Sequence, residues 1–233
     1  SKVGSYLQSA IIAVSSDLAD KLSVTYDRKK IVTILNGIDE EVLTKNIEEA
    51  DFKTKYPVSI HVGIVGRIES VKRIDIFLQT AALLVKKSGE NNWLFHVFGD
   101  GSLVQEMRAL AKELVIEDRV IFHGHRMDIH NCMASLDMML MCSDHEGLPM
   151  AALEAMALGT PLIAHNVGGL VEVLSNRPEQ LINEHTAEGY YKGVMLLLGK
   201  HNGNNELPKK FKASVNAERV YGLYSKLNRQ RAI

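Results

Sequence analysis

Seven short apolar runs punctuate the chain, at Ala10–Val14, Ile31–Leu35, Ile60–Val65, Trp93–Phe98, Arg119–Phe122, Asp137–Cys142 and Pro161–Ala164. Most are nearly continuous in hydrophobicity, the pattern of strands buried on both faces. The segments between them have a helical period instead. Ile74, Phe77, Leu78, Ala81, Leu84 and Val85 form one apolar face; Leu103, Met107, Leu110, Ala111 and Leu114 form another. Parallel strands need crossovers and crossovers are right-handed, so this alternation predicts an α/β fold with a doubly wound parallel sheet. Its strand-to-helix loops then gather at one edge, where ligands bind. Met138, Met139 and Met141 read as core.

The 233 residues are 46% apolar and 24% charged, enough to build a sizeable core within the soluble globular class. A formal charge of −1 gives no overall field to draw in nucleic acid or an anionic membrane, so any anion site must be built locally. Cys132 and Cys142 form neither a metal-type CxxC nor a disulfide framework, which fits a reducing cytoplasm. No apolar run approaches the roughly 20 residues that span a bilayer, and none reads as a signal peptide. A start at Ser1 rather than Met reads as processing or truncation.

The rhythm breaks at Asn36-Gly37-Ile38-Asp39, where Asn-Gly signals a turn. The polar stretch Glu40–Lys55 that follows reads as a linker. What precedes it reads as one helix end, a strand, a helix and a strand, too little for a sheet that stands alone, so the rest of that sheet is expected outside the chain. The Asn/Gly-rich stretch His201–Asn205 reads as a surface loop.

Chemistry concentrates in Ser143–Pro161. A strand ends at Cys142 and a helix starts near Pro149, where proline suits the first turn. The helix runs to Leu158 and is stopped by Gly159 and Pro161. Glu146 then lies in the strand-to-helix loop and Glu154 about 1.5 turns into the helix. Both carboxylates are expected to face the crevice at the carboxyl edge of the sheet. The free amides at the helix start, near Gly147 and Leu148, favour anionic or polar ligand groups there.

The block EGLPMAALEAMALGTPLIAHNVGG, with seven residues between its two glutamates, is similar to the signature of glycosyltransferase family four, the retaining group 1 enzymes of GT-B fold. Other blocks match in order. IIAVSSDL resembles the strand that closes that family's N-terminal domain, and ILNGID its interdomain crossover. VGRIESVKRID resembles the first strand and phosphate loop of its C-terminal domain, FGDGS and VIFHGH the next loops, and VYGLYSKL the closing helix. Asn183–Leu207 matches only loosely.

The resemblance implies a Rossmann-like C-terminal half of a GT-B fold with a remnant of the N-terminal domain. Residues 1–45 would be that remnant and the interdomain linker, residues 46–210 the donor-binding domain, and residues 211–233 a helix crossing back. The implied reaction moves a sugar from a UDP-, GDP- or ADP-sugar to a sugar or lipid-linked acceptor, with retention. Glu154 would accept the ribose hydroxyls, since one carboxylate takes two donors. Glu146 would meet hydroxyls of the donor sugar, beside Gly147, Leu148 and Pro149. Gly66 opens the phosphate loop, and Arg67 and Lys72 would hold the diphosphate by charge-assisted contacts and stabilise its departure. Backbone groups of His125, Arg126 and Met127 would face the base. No protein nucleophile, cofactor or essential metal is implied, because the two cations do a metal's work. The acceptor would lie in the absent domain. The isolated chain would then be inactive or weakly hydrolytic. The full protein would be cytoplasmic, with peripheral association at the cytoplasmic membrane face open to it.

Plainer readings exist for each residue. Glu146 alone would be a helix-start carboxylate, Glu154 a solvated helix residue, and Arg67 and Lys72 surface charges. Gly99-Asp100-Gly101 and Gly168-Gly169 read equally well as loop. His123, His125 and His130 suggest a metal site, but the family loop accounts for them. Rival functions on this scaffold are a nucleotide-sugar 2-epimerase, which needs acid/base residues from the other half, and a non-catalytic nucleotide-sugar binding module. A phosphorylase-like enzyme would need a pyridoxal lysine site, which nothing suggests.

Overall fold

The computed structural model of the chain describes residues 9–89, 91–198 and 207–231; the loop His201–Asn205 lies outside them. Two parallel sheets carry the fold. A small one pairs β1 (Ile11–Ala13) with β2 (Ile31–Thr33), with α1 (Ser16–Ser23) between them. The main sheet comprises β3 (Ile60–Val65), β4 (Trp93–Phe98), β5 (Val120–Gly124), β6 (Met138–Met141), β7 (Leu162–His165) and β8 (Leu181–Ile182), all parallel, in the order β5-β4-β3-β6-β7-β8. Its crossovers are α4 (Ile74–Lys87), α5 (Val104–Glu113), α6 (Ile129–Ala134), α7 (Met150–Ala157) and α8 (Gly169–Val173). The helices α9 (Ala187–Leu198) and α10 (Ala213–Arg231) follow β8.

The strands read as unbroken apolar runs because both faces of the main sheet are covered. Successive side chains point to opposite faces. Met139, Met141, Leu162 and Ala164 pack with α7 and α8 in one layer. Val62, Ile64, Met138 and Leu140 pack with α4, α5 and α9 in the other. On α4, Phe77, Leu78 and Leu84 are fully buried, each contributing about 1.5–3 kcal/mol of hydrophobic stabilisation. This is the doubly wound Rossmann-like sheet that the alternation predicts.

Four details differ from the sequence reading. Val85, assigned to the apolar face of α4, is 37% exposed, because the face narrows at the helix end. The fifth run starts at Val120 and extends to Gly124. The two-residue strand β8 carries too little pattern to be read. The stretch Glu40–Lys55 holds two short helices, α2 (Glu40–Thr44) and α3 (Asp51–Lys55), and is fastened to the core by Ala50 and Phe52, both buried. The start of α10 is tied back to the same region, with Asn216 Nδ2 donating to the Leu35 carbonyl at 2.7 Å and a parallel bridge between Ile38 and Lys212. No helix among the described residues is long and apolar enough to cross a membrane.

Candidate functional site

From β3 the chain steps outward to β4 and β5, then returns to β6 on the other side of β3. The loops after β3 and β6 therefore diverge and leave a crevice at the carboxyl edge of the sheet, the position where open α/β sheets take their ligands. The loop after β3 passes through Gly66 and Arg67 into a tight 3-10 turn, Ser70–Lys72, and then Arg73 starts α4. The loop after β6 runs from Cys142 to Pro149, the N-cap of α7. The Asp144 amide donates to the Val71 carbonyl at 2.9 Å and ties the two loops together.

This arrangement brings Lys72 and Glu146 into contact. Lys72 Nζ lies 2.7 Å from Glu146 Oε1, with side chains 22% and 10% exposed. The Ser143 hydroxyl donates to the same oxygen at 2.7 Å. A half-buried ion pair at a sheet switch point is poised for ligand chemistry: a phosphate and a hydroxyl-rich group can replace the partners that the two side chains give each other.

The Glu146 loop is shaped from below by Gly168-Gly169. Gly168 has φ +55° and ψ −138°, and a Cβ there would stand 1.9 Å from the Glu146 carbonyl oxygen. A Cβ on Gly169 would stand 1.9 Å from the Gly147 oxygen. Only glycine permits this approach, so the pair read as loop is the bed of the site loop. From the other side Asn36 Nδ2 donates to the Leu148 carbonyl at 3.2 Å. Leu148 itself is buried and Gly147 is exposed. Pro149 caps α7 without a side-chain hydrogen bond, so the first amides of that helix remain available to other partners.

Beside the loops lies a pocket of about 360 Å³ lined by Gly66, Arg67, Phe98, Gly99, His125 and Arg126 among others. Arg67 is exposed at it and, among the described residues, makes no ion pair. Arg126 is committed elsewhere. Its Nε and Nη2 grip Asp128 at 2.7 and 2.6 Å, and Nη2 is 3.4 Å from Asp51. Met127, 92% exposed, lines a different cavity of about 420 Å³ between α2 and α6. Glu154, with its side chain 23% exposed, sits 3.6 Å from His130 Nε2 on α6. Lys72, Glu146 and Glu154 do not line the 360 Å³ pocket.

Of the three histidines considered for a metal, His123 is engaged in a buried chain across the sheet. His61 Nδ1 is 2.9 Å from His96 Nε2, and His96 Nδ1 is 2.9 Å from His123 Nε2. The chain ends where His61 Nε2 meets the Tyr56 carbonyl at 3.0 Å, and Phe52 packs 4.2 Å from the His96 ring. Burial pushes His96 down to about 3 and His123 to about 4, so all three rings are neutral near pH 7. Among the described residues no group of three or more His, Cys, Asp or Glu is placed to hold a metal ion.

Sequence reasoning missed a second polar cluster behind the Glu146 loop. The His165 and His185 rings stack at 3.6 Å and meet the Ser143 and Cys142 carbonyls at 2.9 and 2.7 Å. Arg73 and Asp144 complete it. These residues are far apart in sequence, and only the sheet brings them together.

Comparison with known proteins shows the family and the fold. The family model described as "Glycosyl transferases group 1" matches residues 45–215. The N-acetyl-alpha-D-glucosaminyl L-malate synthase of Bacillus anthracis is 33% identical over 170 residues, covering 71% of this chain and 44% of that protein. A lipopolysaccharide 1,6-galactosyltransferase of Salmonella typhimurium is 32% identical over 152 residues, covering 57% and 42%. The chain thus spans about two fifths of the length of these relatives. Among solved structures, HepE of Anabaena in complex with UDP and glucose superposes with a TM-score of 0.84 at 20% identity, covering 97% of this chain and 66% of that one. Sucrose-phosphate synthase from Thermosynechococcus elongatus gives 0.78 at 22% identity, covering 98% and 61%. Since the family match takes in well over half of the sequence, the chain belongs to the group 1 glycosyl transferases.

Proposed function

We propose that this chain is the donor-binding part of a retaining glycosyltransferase that moves a sugar from a nucleoside diphosphate sugar to a glycan or lipid-linked acceptor. The contact between Lys72 and Glu146 at the switch point carries this reading, because it sets a cation and a hydroxyl acceptor side by side at the crevice. Lys72 and Arg67 take the diphosphate and stabilise its charge as the bond between the anomeric carbon and the phosphate oxygen breaks. Glu146 accepts hydroxyls of the sugar, and Glu154 those of the ribose. The base lies against the segment His125–Met127. The acceptor hydroxyl attacks from the face that the phosphate leaves, and its proton passes to the departing phosphate. The two cations do the work of a metal, and no cofactor takes part.

In this reading residues 46–210 form the donor domain, residues 1–45 and 211–233 belong to the junction with an acceptor-binding N-terminal domain, and the chain by itself binds donor but transfers little. One relative, 30% identical, is named for a UDP-galactose donor, so UDP-sugars head the test. Thermal-shift screening against UDP-, GDP- and ADP-sugars should raise stability by about 2.7 kcal/mol at 100 times the dissociation constant for the true donor. No shift with any of them would overturn the proposal. Product analysis with acceptors separates the rivals: glycoside with free nucleoside diphosphate for a transferase, an epimerised sugar nucleotide for an epimerase, neither for a binding module.

A further inference from the structure

Arg73 sits in a conformation that its side chain does not favour. Its φ and ψ are both 50°, the left-handed region, at the N-cap of α4 and next to Lys72. A non-glycine residue there costs on the order of 1 kcal/mol or more and persists where its surroundings over-determine it. Three contacts do so. Arg73 Nε donates to Asp75 Oδ1 at 3.0 Å and Nη2 to Asp75 Oδ2 at 2.9 Å, a bidentate grip that fixes the guanidinium plane. Nη1 then reaches across the crevice to Asp144 Oδ1 at 3.2 Å. Asp144 is in the Glu146 loop, its amide is bonded to the Val71 carbonyl, and its carboxylate lies 3.6 Å from His185 Nδ1. The guanidinium is thus a staple between the turn that presents Lys72 and the loop that presents Glu146.

We propose that Arg73 is a positioning residue for donor binding: by holding Asp144 it keeps Lys72 and Glu146 in one site without touching the donor. This rests on the reading of Lys72 and Glu146 as diphosphate and sugar contacts. The left-handed backbone is then the cost of aiming a guanidinium at Asp144 from a position that glycine would fill without strain.

The substitution Arg73→Gly separates staple from backbone, since glycine adopts the left-handed turn freely and removes the side chain that carries the guanidinium. Its partner is Asp144→Asn, which keeps size and removes the charge. Calorimetry of the 233-residue chain with UDP-glucose, UDP and uridine, run beside the GDP-mannose and ADP-glucose series, reads the effect. Both variants should melt near wild type and bind nucleoside unchanged, but lose about fivefold in affinity for the sugar nucleotide, the factor that corresponds to about 1 kcal/mol at the upper end of partly exposed ion pairs. Because Arg73 acts through Lys72 and Glu146, adding Arg73→Gly to the pair Lys72→Ala with Glu146→Ala should bind no more weakly than that pair alone. Additive losses would mean that Arg73 meets the ligand itself and would overturn the proposal, as would wild-type affinity in Arg73→Gly. Equal loss for nucleoside and sugar nucleotide would mark a structural role only and overturn it too. If Lys72→Ala leaves sugar-nucleotide binding intact, or the wild type binds none of the three series, the underlying functional reading fails instead.

Discussion

Replacing Gly168 by alanine should damage the site while leaving every side chain proposed to meet the donor unaltered. The new Cβ would stand 1.9 Å from the Glu146 carbonyl oxygen, against a floor of 3.0 Å for real contacts, so the two segments must part by about 1 Å. The obstacle is backbone on both sides and has no rotamer to give. Overpacking of this kind costs about 1–3 kcal/mol, and φ +55° with ψ −138° adds about 1–3 more for a residue with a side chain. A total of about 2–6 kcal/mol lowers the melting temperature by roughly 4–24 °C in a chain of this size. The displaced loop carries Glu146, whose hydrogen bonds to a sugar are each worth about 1.5–3 kcal/mol. Affinity for the sugar nucleotide should therefore fall at least about tenfold, toward that of the plain nucleoside diphosphate. Gly159→Ala is the control: its φ is +75° but nothing lies within 4 Å of the new Cβ, so it should cost only about 1 kcal/mol of backbone strain and leave binding alone. Differential scanning calorimetry and titration calorimetry read both. If Gly168→Ala matches Gly159→Ala in melting and in affinity, Gly168 is an ordinary loop glycine and does not shape the site.

Three other substitutions or conditions give separate tests. Glu154→Ala should weaken nucleoside diphosphate binding at least about tenfold, because two hydrogen bonds to a charged acceptor are lost; unchanged affinity in a folded protein would remove the ribose assignment. Arg67→Ala with Lys72→Ala should hurt diphosphate binding much more than nucleoside binding, added salt should weaken the wild-type interaction, and a chelator should leave it intact. Strict metal dependence would contradict this phosphate clamp. In acid, the unfolded chain protonates His96 below its ordinary value of 6.5, whereas the fold holds that ring neutral to about 3. Stability should therefore decline as pH falls from about 6.5, by up to about 1.4 kcal/mol per pH unit for His96. Urea unfolding between pH 7 and 4.5 that shows no decline, or an equal slope in His96→Leu, would refute the neutral histidine chain.

The sequence is informative wherever one local pattern suffices. The strands β3, β4, β6 and β7 are long enough, and apolar enough on both faces, to stand out, and the stretch from Glu146 to Leu158 carries its own start and stop signals. It is silent where the meaning lies in contacts between distant segments. Phe52 lies in a polar stretch and becomes core only because α3 folds over His96. His61 and His96 are single polar residues inside apolar runs, which hints at buried partners, yet their pairing depends on β3 and β4 being neighbours. Gly168 reads as loop until the Glu146 carbonyl is placed against it. The pairing of Arg73 with Asp144 follows from the strand order, in which β3 and β6 are neighbours although 72 residues lie between Val65 and Met138, and no local pattern shows it.

The most direct measurement is a crystal structure of this chain with a bound sugar nucleotide, UDP-glucose first. The diphosphate should lie between Arg67 and Lys72, with the bond between Lys72 and Glu146 opened in favour of phosphate and sugar, the ribose on Glu154, and the base against His125–Met127. A sugar nucleotide bound elsewhere, or one that leaves Lys72 paired with Glu146 and makes no contact with either, would contradict it.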